Sequence, residues 1–506
     1  MEGFLPGPSA EAGRGAGQRL PAGGPAPASS PRERGDVAGP RDRRRHGASS
    51  RRGGLHDVPP SPAHLRRSRF RRGRRPRRPR SAGRRRGQLH DGFTVGIVEL
   101  DDQGRFWDRR QLRALEAEVL GQAGGPEDPG VVLTVFVHGW RHDARVCDAN
   151  LACFRELLRR ISLDQREALA ARGGDARPRA VIGVFVGWRG LSSKAWPLEQ
   201  LSFLGRKNAA LRVGAGDTTE LLTRLDRLRL VLNGAKRDAS RLVVLGHSLG
   251  GTVVYEALSS IFKSRLAADW PGVDVNGASR VIRGFGDLVV LVNPAFEAER
   301  WRPIHELASS YADFSRRQRP VLVVVGSETD SATGTWFPLG QWAATVLSRT
   351  RDKEQRAALR TAIANYEPFV THRLSRADLP PGGAGPRAPT PRVRGCLCDL
   401  PCDATPVDDG HHLLAAPAPP TSVPDGPDSG WIGQPCEPYR RLGPLALECK
   451  APGRRGNPFL VVRAAPEVLH EHGGFFNPYF VSFLRRLLID ATAGTTTPED
   501  LSPASR

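Results

Sequence analysis

The stretch RLVVLGHSLGGTVVYEAL, residues 241–258, decides the fold. A run of β-branched and leucine residues (241–245) reads as a buried strand, and TVVYEAL reads as a helix that starts with no spacer. Between them stands Gly246-His247-Ser248-Leu249-Gly250, the pattern G-x-S-x-G. Such a turn forces the serine into a strained backbone conformation. Small residues two positions before and after it let strand and helix approach. The turn is expected to lift the Ser248 hydroxyl above the carboxyl end of a sheet, where a ligand can reach it, with the following helix N-terminus aimed at the same place. An ordinary glycine-rich strand-to-helix turn is the bland alternative.

The neighbouring sequence repeats the alternation. FTVGIVEL (93–100), VVLTVFVHGW (131–140), RAVIGVFVGWRG (179–190), DLVVLVNPA (287–295), RPVLVVVGSETD (319–330) and NPFLVVRAAP (457–466) read as further apolar strands. Helical spacing marks 109–123, 148–161 and 217–234. Short continuous apolar runs alternating with helices predict an α/β fold: a mostly parallel sheet covered by helices on both faces.

Residues 1–90 are different. They hold 23 Arg and 6 acidic residues, a net +17 out of +22 for the whole chain, and no apolar periodicity. The basic excess is thus a property of this segment, which argues against a specific nucleic-acid-binding fold in the remainder. We expect a disordered tail here, or an over-extended start. RFRRGRRPRRPRSAGRRR (69–86) would bind polyanions without sequence preference. Residues 379–456 hold 16 prolines without periodicity and read as a long insertion within an α/β domain spanning 91–491, followed by a short tail at 492–506. No apolar run reaches the length of a transmembrane helix, and a cytoplasmic location is the expectation. Cys396, Cys398 and Cys402, with Cys436, Cys449, His411 and His412, lack the regular pairs of a zinc site. Solvated thiols, or disulfides in an exported protein, are the expectation for them.

A serine nucleophile at neutral pH needs a base, a group that orients the base, and donors for the oxyanion. His138-Gly139-Trp140 ends an earlier strand, so the backbone N–H groups of Trp140 and Leu249 are assigned to the oxyanion hole. The His138 side chain itself is expected to be packed below the site. VFVHGWRHDA, DANLACFRELL, GHSLGG, VVVGSETDSATGTWFP, NYEPFVTH and HEHGGFFNPYFVSFL together resemble bacterial proteins of the α/β-hydrolase superfamily, nearest an esterase/lipase-like group. The resemblance covers roughly 92–375 and 457–490. It implies the α/β-hydrolase fold and a Ser–acid–His hydrolase.

In that superfamily the chain order is nucleophile, acid, histidine. The acid is then Asp330, with Glu328 as alternate; Asp287 and Glu297 are weaker choices, and an Asx-type turn is the bland reading of Asp330. The base is His472, with His470 as alternate, since alternate residues of an extended loop point to opposite sides. His372 comes before the last strand and is read as structural. Trp188 and Trp336 are candidates for an acyl pocket, as are Trp196, Phe203 and Phe337, although core packing explains each singly. The expected activity is hydrolysis of carboxylic esters, with a small-molecule or lipid ester as substrate and no metal or organic cofactor. The alternatives are a thioesterase or acyltransferase on the same residues, or a non-catalytic scaffold whose basic tail carries the function.

Overall fold

The structure is a computed structural model. It describes residues 92–492 except 124–127, 141, 146–147, 173–176, 190–197, 237–239, 269–280, 312–313, 315–317, 379–438 and 451–455. The basic segment 1–90, most of the proline-rich insertion, Trp196, and the final tail lie outside the described residues, as does the side chain of Phe203.

Eight strands run parallel through the sheet: β1 (Phe93–Glu99), β2 (Val131–Val137), β3 (Ala180–Gly187), β4 (Arg241–His247), β5 (Leu288–Val292), β6 (Leu322–Ser327), β7 (His372–Arg376) and β10 (Phe459–Ala464). The spatial order is β1-β3-β2-β4-β5-β6-β10-β7, continued by β9 (Leu445–Cys449) and β8 (Tyr439–Leu442), which pair antiparallel. Seven of these strands were legible as apolar runs. The other three were not, because β7 reads His-Arg-Leu-Ser-Arg and β8 Tyr-Arg-Arg-Leu. The hairpin β8–β9, which lies in the last part of the span 379–456 read as an insertion, extends the sheet edge.

Every residue of β2, VVLTVFV, is buried. Successive strand side chains point to opposite faces, so a strand of this kind needs cover on both. Val131, Leu133, Val135 and Val137 enter a core that also takes α1 (Arg109–Ala123), α3 (Leu198–Ala215), α4 (Asp217–Lys236), α5 (Leu249–Ala268) and α6 (Ala298–Ser309). Val132 and Phe136 enter the opposite core, beneath α2 (Ala149–Arg172) and α9 (Pro478–Thr492). Two further helices, α7 (Phe337–Thr345) and α8 (Lys353–Arg360), follow β6.

β4 lies between β2 and β5, so the glycine-flanked turn after it opens at the middle of the sheet. Ser248 has φ +56°, the left-handed region that a non-glycine residue occupies only when its surroundings impose it. Its N–H donates to Val292 O at 2.9 Å, and its carbonyl accepts from Ala295 N at 3.2 Å, so β5 and the chain after it hold the turn. A Cβ on Gly250 would stand 2.1 Å from Val137 O and 2.5 Å from His138 O, which is why α5 can begin there only with glycine. Gly246 packs against the same helix start, beside Gly251.

Cys153 and Cys449 are both disulfide-bonded. The other cysteines of the insertion and His411 and His412 lie outside the described residues. Among the described residues, no helix is long and apolar enough to cross a membrane.

Candidate active site

Three strand ends meet at the carboxyl edge of the sheet. Ser248 follows β4, Asp330 follows β6, and His472 sits in the loop after β10. The Ser248 hydroxyl donates to His472 Nε2 at 2.6 Å, and His472 Nδ1–H donates to Asp330 Oδ2 at 2.9 Å. The Asp330 side chain is fully buried and that of His472 is 27% exposed. The alternates are elsewhere: Glu328 is exposed and pairs with Arg373 at 3.2 Å, and His470 is about half exposed beside Glu471. Asp287 caps the opposite end of the sheet through Leu242 N–H, and Glu297 pairs with Lys207.

The two oxygens of Asp330 have different partners. Oδ1 accepts from Ala332 N and Thr333 N at 2.9 and 3.2 Å, an Asx-type turn. Oδ2 accepts from Thr333 Oγ1 at 2.6 Å as well as from His472. Burial alone would raise this carboxyl. The hydrogen bond and charge of His472, with the two donors of Thr333, outweigh burial and hold it below the usual carboxylate range. The carboxylate is thus ionised and locked in orientation.

The histidine loop is positioned by residues that carry no motif. Asn293, at φ +44° just past β5, is fully buried. Its Nδ2 donates to the carbonyls of Glu471 and His472, each at 3.1 Å, while its Oδ1 accepts from Ser327 N at 2.8 Å. His247 Nε2–H donates to the same His472 carbonyl at 2.8 Å. Ser327 Oγ holds Leu469 O, and Thr329 Oγ1 accepts from Glu471 N. Glu471 itself has φ +51°, so the loop is not extended there. The only sequence signal for Asn293 was an Asn-Pro pair closing a strand, a turn mark with no hint of its long-range partners.

His247 and His138 are both enclosed. Burial, with the nearby His472, pushes His247 down to about 3, and burial pushes His138 down to about 4, so both rings are neutral. His138 lies between Phe185 and Trp188, accepts from Trp188 N–H at 3.1 Å, and donates from Nδ1 to Gly139 O. A Cβ on Gly139 would stand 2.7 Å from Ser248 Cβ, so the peptide leading to half-buried Trp140 passes directly beside the nucleophile. Leu249 is the first residue of α5. Asp148 fastens the following loop by accepting from His142 Nδ1 and from the N–H groups of Asp143 and Asn150.

Trp188 is 3% exposed and packs on His138, while Trp336 is 55% exposed. Phe337 is buried under the Lys207 ammonium group, and a cavity of about 520 Å³ is lined by Asp330 together with Glu328, Ser331, Asn365 and Arg463. Ser248 was expected to be open to a ligand but is only 2% exposed, with Gly139 against its Cβ and the His472 ring on its hydroxyl. Among the described residues no cluster of His, Cys, Asp and Glu suits a metal. His372, read from the sequence as structural, is a buried residue of β7.

No family model matches the chain, and no curated protein does. Among solved structures it is similar to the phospholipase PlaB from Legionella pneumophila, alone and in complex with thio-NAD. The identity is 14% in both cases, with TM-scores of 0.22 and 0.21, covering 48% of this chain and 47% and 46% of that one. The match thus spans less than half of either protein and carries no argument about function. What stands on the sheet order, the strand-to-helix turn and the two-sided helical cover is an α/β fold with a mostly parallel sheet.

Proposed function

We propose that the protein is a serine hydrolase of carboxylic esters. The observation that carries the reading is the continuous hydrogen-bond chain from Ser248 Oγ through His472 to buried Asp330. In this reading the neutral imidazole takes the Ser248 proton as Oγ attacks the ester carbonyl. The tetrahedral oxyanion is held by the backbone N–H groups of Leu249 and Trp140, and preorganised donors of this kind supply roughly 10²–10³-fold each. The alkoxide leaves with the proton from His472 Nε2, and water then hydrolyses the acyl-enzyme by the same steps. Asp330 keeps Nδ1 protonated, so Nε2 stays the acceptor, and stabilises the imidazolium.

The covered state of Ser248 demands that the residues around it give way when substrate binds. A small fluorophosphonate meets that demand with the least displacement. Wild type is expected to carry one adduct, on the peptide containing Ser248, and Ser248→Ala none. Adducts elsewhere, or an unlabelled Ser248 in a folded protein, would overturn the reading.

A further inference from the structure

Five of the ten large apolar side chains that stand exposed among the described residues fall within twelve positions. They are Trp336 (55%), Leu339 (59%), Trp342 (55%), Val346 (58%) and Leu347 (93%). The segment begins on the acid of the site: Gly334 N donates to Asp330 O at 2.8 Å, and α7 follows at Phe337–Thr345.

A surface helix ordinarily buries its apolar stripe and shows its polar face. This helix is reversed. Its inward side holds Phe337 and Gln341, both buried, with Gln341 Nε2 donating to Glu297 at 3.1 Å and the Lys207 ammonium group 4.8 Å over the Phe337 ring. Lys207 and Glu297 are themselves paired. A buried polar anchor therefore pins the helix with tryptophan and leucine facing out. Residues 336–347 contain no charged side chain. Immediately beyond them Arg349, Arg351, Lys353 and Arg356 are exposed, and 336–360 carries five cations against two acids, Asp352 (paired with Arg351) and Glu354.

Tryptophan and leucine projecting from one side, uncharged over the apolar part and rimmed by arginine, match the headgroup boundary of an anionic bilayer. An apolar partner protein would leave the cationic rim unanswered. We propose that residues 336–356 dock the protein on anionic lipid surfaces, with Trp336, Leu339, Trp342 and Leu347 entering the acyl boundary and the basic rim meeting the headgroups. The surface adjoins Asp330, so, resting on the ester-hydrolase reading, it brings lipid esters to the edge of the site.

The test uses the full chain and its Leu339→Asp/Trp342→Asp variant, both bearing the same arginine-rich segment 69–86. Vesicles of phosphatidylcholine with and without phosphatidylglycerol are pelleted at low salt and at about 1 M salt, where the Debye length falls to about 3 Å. Wild type is expected to pellet with the phosphatidylglycerol vesicles. The double variant should partition at least about tenfold less at either salt, since each large apolar side chain moved from water contributes roughly tenfold or more. Acyl chains brominated near the carboxyl end should quench wild-type tryptophan emission and leave the variant's unchanged. Leu347→Asp alone, at a 93% exposed position, should weaken partitioning in the same direction without a folding defect.

Equal partitioning of wild type and both variants overturns the proposal, as does a wild-type dimer that the double variant lacks, which would make a second copy the occupant. Hydrolysis of a soluble short-chain ester separates the two readings. If it is absent from wild type while vesicle binding depends on Leu339 and Trp342, docking stands and the ester-hydrolase reading falls.

Discussion

Asn293 shows how much of a site can rest on a residue whose sequence context says only that a strand ends. Its amide joins β5 to β6 through Ser327 N–H and ties down the carbonyls on both sides of the peptide that carries His472. Asn293→Ala would confuse two losses, because φ +44° also disfavours alanine. Asn293→Gly keeps the backbone and removes only the amide. We expect that variant to lower kcat on a soluble ester by about 10–100-fold with KM nearly unchanged, as the imidazole loses its alignment with Ser248. Asn293→Asp, which tolerates the same φ but cannot donate, should not rescue it. A KM that rises with kcat constant would assign Asn293 to substrate binding. Ser248 was legible because the elbow fixes it by local pattern, and Asp330 because it stands at a strand end in the expected order. Choosing His472 over His470 was harder: Glu471 turns the chain through a left-handed conformation, so simple alternation does not say which ring faces inward.

The strands and helices that build the site differ in how openly their sequences announce them. β2 through β6 are continuous β-branched runs because both their faces are covered, and composition alone identifies such strands. β7 and β8 lie toward one end of the sheet and carry arginine, so their pattern is lost among loop-like residues, while β9 is a five-residue run inside the proline-rich span. The helix α7 was hidden for the opposite reason, since Leu339 and Trp342 face outward while Gln341 is buried beside Phe337, and a pocket-lining role for Trp336 was the natural sequence inference. The contact of α5 with the end of β2 is the tightest of the element packings at the site. Gly250→Ala would drive a methyl group to 2.1 Å from Val137 O, a backbone atom that cannot swing away. We expect that substitution to destabilise the fold by at least about 3 kcal/mol, read as a lower urea midpoint, because strain of this kind adds to the lost packing. A midpoint within error of wild type would mean that the helix start is not seated as described.

At the scale of the whole molecule, the charge state of three enclosed histidines ties folding to pH. Burial holds His138 and His372 down to about 4, and His247, with His472 beside it, down to about 3. In the unfolded chain each would titrate near 6.5. Between about pH 6.5 and 4 the unfolded state binds more protons than the folded one, so stability rises with pH across that window and falls on acidification. The loss is bounded by about 1.4 kcal/mol per pH unit for each ring. Asp330 acts in the same direction but lower, since its depressed carboxyl contributes stability above the ordinary carboxylate range and loses it as pH falls through its folded value. Urea unfolding at pH 7 and pH 5 should therefore differ by a few kcal/mol, and His372→Gln, distant from the serine, should flatten part of that slope. Equal stability at the two pH values would show that these rings are not held neutral.

The central claim is that the His472 imidazole deprotonates the Ser248 hydroxyl, and the rate of fluorophosphonate labelling reads that step alone. Wild type and His470→Ala should react at comparable rates, whereas His472→Ala should react at least about 10³-fold more slowly in a protein of unchanged fold. Equal labelling rates for wild type and His472→Ala would contradict the account.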